Sequence, residues 1–145
     1  MGTYTLTVPV RFGACDPVGI AYFPKYFDWF HQTMEAWFGE RLGLPYHEVL
    51  RHHGFPAVHS ECDYAQPCAF GETVGVELSV GDIGRTSVRL NYRVLGPSGE
   101  ADVRARGHTV VVCFGTLRDA PSYLKPVALP DNIRTAMLQF RNAAD

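Results

Sequence analysis

No apolar run in this 145-residue chain approaches the ~20 residues that a membrane-spanning helix needs. The opening stretch, MGTYTLTVPV, has neither a basic start nor the apolar centre of a secretory signal, so a cytoplasmic protein with no membrane partner is expected. Basic residues give no excess either: 13 Lys and Arg stand against 15 Asp and Glu, a net charge of -2. A nucleic-acid partner is therefore not expected, because its phosphates are usually met by a basic stripe. The four cysteines, Cys15, Cys62, Cys68 and Cys113, form no CxxC pair and are too sparse for a disulfide scaffold. They are read as reduced, mostly buried small apolar residues. Internal repeats, low-complexity tracts and linkers are missing, as are the nucleophile-elbow pattern GxSxG and the phosphate-cradling patterns GxGxxG and GK[ST].

What is present is enough apolar material for one folded domain over residues 1–145, since 46% of the chain is hydrophobic. Tyr4, Leu6, Val8, Val10 and Phe12 alternate with polar residues, which predicts a half-buried strand, and Pro9 places it at an edge or bulge. Residues 24–42 read as the main helix. Pro24 suits a first turn, and Tyr26, Phe30, Met34, Trp37 and Phe38 recur at three- and four-residue steps as one apolar face. After a loop come predicted strands over Ala57–Ala65, from Thr73 to Val80, from Val88 to Val94 and from Asp102 to Leu117. GDIG (81–84) and GPSG (96–99) read as turns, and PDNIRTAMLQF as a short final helix. One dominant helix against runs of strand predicts an α+β fold, with the helix on one face of an antiparallel sheet of about five strands. The sheet's free edges make homo-oligomerisation a natural expectation.

The stretch GACDPVGIAYFPKYFDWF (13–30) sets a carboxylate, Asp16, in a turn just ahead of a helix start. A helix N-terminus offers unpaired N–H groups and partial positive charge. Amides at Tyr22 and Phe23 are placed to bind the oxyanion of an acyl-transfer transition state, and Asp16 to attack the carbonyl or activate water. A thioester suits such a site, because its thiolate leaves without needing a proton. Asp16 is equally well read as an Asx-type turn residue before Pro17. Cys15 is a poor nucleophile, since the adjacent carboxylate raises a thiol's pKa.

The segment RFGACDPVGIAYFPKYFDWF strongly resembles the active-site segment of the 4-hydroxybenzoyl-CoA thioesterase branch of the hotdog-fold thioesterases, through Asp-Pro-x-Gly-Ile and into aromatic-Pro-x-Tyr. The resemblance implies a hotdog fold, in which a curved antiparallel sheet wraps a long helix. It also implies an acyl-CoA thioesterase that needs no metal or other cofactor and assembles as a dimer or tetramer. Asp16 takes the position of the catalytic carboxylate, and Phe23 that of the residue whose backbone N–H holds the thioester oxygen. Pro24 and Tyr26 match the helix opening. Arg85, with Thr86 and Ser87, and Lys125 take the positions of the basic surface groups that hold the CoA nucleotide, although the cluster around Arg85 is thinner than in that branch. Tyr26, Trp29, Phe30, Phe55 and Pro56 are the apolar candidates for an acyl pocket at a dimer interface, and each is also an ordinary core residue.

Other readings stay open beside this one. They are a non-catalytic acyl-CoA-binding module, or a thioesterase for short aliphatic acyl-CoA or acyl carrier protein. Glu35 and Asp28 are the alternative acids on the helix. A metal-binding protein built on His52, His53, His59 and Cys62 is the weakest, since their spacing follows no zinc pattern and Gly54 and Pro56 break any aligning helix.

Overall fold

The computed structural model describes residues 2–142. Strand β1 (Tyr4–Pro9) leads through a single 3-10 turn (Phe12–Ala14) to the long helix α1 (Lys25–Glu40). There follow the one-turn helix α2 (Tyr46–Val49), β2 (His53–Gly54), β3 (Ala57–Tyr64), β4 (Thr73–Ile83), β5 (Ser87–Leu95), β6 (Val103–Val112), β7 (Phe114–Gly115) and α3 (Asp131–Leu138). The main sheet is antiparallel throughout, in the order β1-β4-β5-β6-β3, and β2 pairs with β7 in a small second sheet. A long helix held against a five-stranded antiparallel sheet is the α+β hotdog arrangement expected from the sequence.

The helix forms where its apolar period predicts. Tyr26, Trp29, Phe30, Thr33, Met34, Trp37 and Phe38 are all buried on one face, and Thr33 settles its hydroxyl by donating to the Trp29 carbonyl at 2.7 Å. That face meets the alternating residues Val74, Val76, Leu78 and Val80 of β4 and Val88, Leu90, Tyr92 and Val94 of β5, all buried. Each such side chain contributes roughly 1.5–3 kcal/mol on leaving water. The tightest point is the Phe30 ring, stacked on Tyr92 with centroids 4.3 Å apart and planes 3° apart. Gly107, paired with Tyr92 in register, makes room for it: a Cβ there would stand 2.8 Å from Phe30 and 2.5 Å from the Glu61 carbonyl oxygen.

Three predicted boundaries shift. GDIG is not a turn, because β4 runs on to Ile83 through a register shift after Val80 and the chain reverses at Gly84 to Thr86 instead. The single strand predicted from Asp102 to Leu117 is divided at Cys113, whose N–H and C=O bond to Thr86 and Val127. Phe12, expected inward, is exposed, because the chain leaves the sheet after Pro9 and turns.

Candidate active site

Between the 3-10 turn and α1 the chain folds into a small hairpin. Cys15 bridges to Ala21, the Asp16 N–H donates to the Ile20 carbonyl at 2.9 Å, and the Tyr22 N–H donates to the Ala14 carbonyl at 2.8 Å. At the tip, Asp-Pro-Val-Gly makes a turn closed by the Gly19 N–H on the Asp16 carbonyl, with Gly19 at φ +87°, a conformation that suits glycine. The Asp16 side chain belongs to this turn, since Oδ1 accepts the Val18 N–H at 2.9 Å. Its second oxygen, Oδ2, has no partner among the described residues. The Asx turn therefore fixes the carboxylate through one oxygen and leaves the other unbonded.

The other arm of the hairpin runs directly into α1. Around the helix start Lys25, Tyr26 and Phe27 N–H groups return to the carbonyls of Tyr22, Phe23 and Pro24, and Pro24 has no N–H. The Tyr22 amide is spent on Ala14, which removes it from the pair of amides expected from the sequence. The Phe23 N–H alone finds no acceptor among the described residues. One hairpin thus carries an unpartnered carboxylate oxygen at its tip and, where its second arm enters the positive end of a helix, a backbone donor with no acceptor among the described residues.

Two interactions unseen in the sequence hold this hairpin. Tyr64, the last residue of β3, donates its hydroxyl to the Phe23 carbonyl at 2.9 Å, and its ring meets Phe23 and Tyr26 edge-on, at 6.3 and 4.9 Å. Burial first, and the neighbouring Cys62 second, push the Tyr64 hydroxyl up to about 12, so it remains a donor at neutral pH. The second is Arg104 of β6, which forks onto Glu72 at 2.8 and 3.0 Å, onto Asp102 at 2.8 and 3.1 Å, and donates to the Pro67 carbonyl at 2.8 Å. Glu72 also accepts the Ala69 N–H at 2.7 Å. The loop so clamped carries the hairpin, through Ala21 N–H to Cys68, Phe70 N–H to Gly19 and the Ile20–Ala69 bridge. Arg104 is the main reason the Glu72 carboxyl falls to about 2. Neither contact leaves a local sequence signal, because the partners lie 41 and 32 residues apart.

The remaining candidates divide by position. Tyr26, Trp29 and Phe30 are core, and Trp29 also lines a cleft of about 440 Å³ with Gly13, Ala14, Lys25 and Gln32. Phe55 is buried against Phe38, 5.5 Å away at the far end of α1, with Pro56 exposed beside it. Arg85, Thr86 and Ser87 lie at that same far end, since Ser87 and Val88 pair with Val112 and Val111, and Val111 pairs with Ala57. The fold does bring the Lys125 backbone to this end: the Cys113 N–H donates to the Thr86 carbonyl and, two residues on, the Gly115 N–H donates to the Lys125 carbonyl. Arg134, donating to the Gly84 carbonyl at 2.8 Å, adds a cation there that the sequence did not single out. Along β3, Ala57 and Tyr64 stand roughly 23 Å apart at ~3.3 Å per residue, so this basic end and the Asp16 hairpin are separated within one chain. Asp28 is tied to Lys25 and Gln32, and Glu35 lies 4.0 Å from His31, both on the exposed helix face. His52 and His53 sit with α2 and β2, and Cys62 points opposite to His59 across β3, so that quartet does not assemble.

All four cysteines are unpaired, and no described helix is long and apolar enough to cross a membrane. Residues 10–137 match the family described as the thioesterase-like superfamily. A 1,4-dihydroxy-2-naphthoyl-CoA hydrolase of Synechococcus elongatus is 31% identical over 97 residues, covering 65% of this chain and 71% of that protein. The crystal structure of a 1,4-dihydroxy-2-naphthoyl-CoA thioesterase from Synechocystis superposes with a TM-score of 0.81 at 23% identity, covering 94% of this chain and 96% of the other. A gentisyl-coenzyme A thioesterase superposes at 0.77 with 25% identity, over 94% of this chain and 99% of its own. With the hotdog layering and the hairpin described above, these likenesses fix the lineage: the chain belongs to the thioesterase-like superfamily and is a thioester hydrolase.

Proposed function

We propose that the protein hydrolyses an aromatic acyl-CoA to the free acid and CoA, with Asp16 as the reacting carboxylate and the Phe23 N–H as the oxyanion donor. The observation that carries this reading is the pairing, on one hairpin, of an anchored carboxylate with a free oxygen and an unpartnered amide at a helix start. The thioester oxygen accepts the Phe23 N–H as negative charge builds on it, which is worth about 3 kcal/mol for one such donor. Asp16 Oδ2 either adds to the carbonyl carbon, giving an anhydride that water then opens, or takes a proton from the attacking water. In both routes the C–S bond breaks with its electron pair on sulfur, and the thiolate of CoA leaves. The aromatic acyl class follows the substrates named in the relatives, and the 4-hydroxybenzoyl group is one member of it.

The reading includes a dimer formed along β3. That strand is an edge, seven of its eight residues are exposed, and Val58, Phe23, Tyr22, Phe12 and Phe70 form an exposed apolar collar beside it and the hairpin. Two copies joined antiparallel along β3 set the partner's Ala57 end beside Tyr64. Pro56 of the partner subunit then borders the acyl site, and Arg85 and Lys125 of the partner subunit reach the CoA nucleotide. A pantetheine arm thus crosses the seam and need not span one chain end to end.

The test is thiol release from 4-hydroxybenzoyl-, 1,4-dihydroxy-2-naphthoyl-, gentisyl- and aliphatic acyl-CoAs, with the native protein and Asp16→Asn side by side. The native protein should release thiol from the aromatic members, and Asp16→Asn should retain binding and lose about 100-fold or more in kcat. Equal activity of the two proteins would move the chemistry to another acid. Binding without release by the native protein would make the fold a binding module.

A further inference from the structure

The face of the sheet turned away from α1 carries a second polar cluster with no part in the site above. β3 places His59 and Glu61 on this face two residues apart, and β6 places His108 opposite Glu61 in register. His59 Nε2 lies 2.8 Å from Glu61 Oε1, and His108 Nε2 lies 3.4 Å from the same oxygen. One ligand atom from each residue lies within 4.8 Å of the other two, and the imidazoles are stacked with centroids 5.3 Å apart. We infer that His59, Glu61 and His108 form a binding site for a divalent transition cation of the zinc class.

Donor type and spacing carry the assignment. A tetrahedral ion holds imidazole nitrogen and carboxylate oxygen at about 2.0–2.2 Å, which places neighbouring donors about 3.3 Å apart. Glu61 and His108 already stand at that separation. The 2.8 Å contact between His59 and Glu61 opens by about half an ångström, and the imidazole nitrogens close by at most about 1.5 Å. The residues that must move are the free ones: the side chains of His59 and Glu61 are 54% and 55% exposed, whereas His108 is held at 13%. Two imidazoles with one carboxylate exclude magnesium and calcium, which take shells of oxygen, and favour zinc, nickel, copper or cobalt. The solvent side leaves a fourth position for water. Arg89 stands on the neighbouring strand of this face, its Nε donating to Asn91 Oδ1 at 2.9 Å, and its charge opposes the cation. The site is accordingly exchangeable. A bound ion would link β3 to β6 behind Tyr64, stiffening the edge that supports the hairpin.

The experiment is a zinc titration of untagged, chelator-stripped protein against a chromophoric competitor, repeated with cobalt, whose visible absorption reports four-coordination. The native protein should bind zinc saturably near one ion per chain and give the intense cobalt bands. The paired variant His59→Ala/His108→Ala should bind at least about tenfold more weakly and lose those bands. Unchanged circular dichroism and an unchanged urea midpoint of the metal-free variant report that it is folded. Absence of saturable binding by the native protein, or equal binding by the paired variant, overturns the assignment.

Discussion

Replacing Tyr64 by Phe removes one hydroxyl and keeps the ring that packs edge-on against Phe23 and Tyr26. The lost contact is the 2.9 Å hydrogen bond to the Phe23 carbonyl, which fixes the residue whose own N–H is the proposed oxyanion donor. A neutral hydrogen bond is worth a net 0.5–1.5 kcal/mol or so. Because Tyr64 is 42% exposed, water replaces much of it, and the expected stability loss is about 0.5 kcal/mol. The kinetic loss is expected to be larger. Removing an oxyanion donor outright costs about 100- to 1,000-fold. Loosening it without removing it should cost a fraction of that, roughly 3- to 10-fold in kcat, or about 0.7–1.4 kcal/mol of barrier. KM should stay within about twofold, since the donor acts on charge that develops in the transition state. Steady-state kinetics on an aromatic acyl-CoA, with urea unfolding alongside, separates the two effects. An unchanged kcat, or a loss confined to KM, would refute a positioning role for Tyr64.

The other predictions address assembly, pH and packing. If Arg85 and Lys125 serve the partner's site, mixing inactive Asp16→Asn with inactive Arg85→Glu/Lys125→Glu by unfolding and refolding should restore about a quarter of native activity, since half the dimers carry one intact site of two. No recovery would place both groups in the same subunit's site. The Glu72 carboxyl, lowered from 4.5 to about 2 by Arg104, contributes stability that is complete above about pH 4.5 and lost as pH falls toward 2. The whole shift corresponds to about 3 kcal/mol, and screening at a side chain 27% exposed leaves about 1–2 kcal/mol. Urea midpoints at pH 6 and pH 3 should therefore differ less in Glu72→Gln than in the native protein, and equal differences would refute the clamp. Gly107→Ala drives a methyl group into Phe30 and the Glu61 carbonyl, and should destabilise by about 1–3 kcal/mol in thermal unfolding while leaving chain length and charge unchanged.

How far the sequence reads depends on whether a feature is local. The apolar period of α1 and the alternation in β4 and β5 are properties of short windows, and both predict the right elements with the right faces buried. GDIG fails because its composition is that of a turn while the register of β5 draws β4 onward to Ile83. The break at Cys113 has no local cause either, since it is made by Thr86 and Val127 approaching from elsewhere. The site divides along the same line. Asp16 and Phe23 are seven residues apart in one continuous motif, so the motif alone displays both. Tyr64 and Arg104 act on that motif from distant strands and Glu72 from the loop before β4, and His59 meets His108 only because β3 lies beside β6. The aromatic candidates are ambiguous for a different reason: a buried Phe or Trp has the same composition whether it faces the core or a ligand.

Turn residue and reacting group first present themselves as competing readings of Asp16, but under the proposed function one geometry serves both. A free carboxylate on a loop would sample several rotamers and lose part of its effectiveness to that freedom. Binding Oδ1 to the Val18 N–H removes the freedom at the cost of one acceptor, and Oδ2 is left oriented by the turn. Gly19 at φ +87° completes the turn, and the Asp16 N–H bond to Ile20 ties it to the arm that ends at Phe23. The same logic explains why Asn is the informative replacement. Its amide oxygen preserves the bond to Val18, so the hairpin and the Phe23 amide keep their places, while the oxygen that would react becomes a nitrogen with no charge and no basicity. Ala would remove both at once and could not tell the turn from the chemistry.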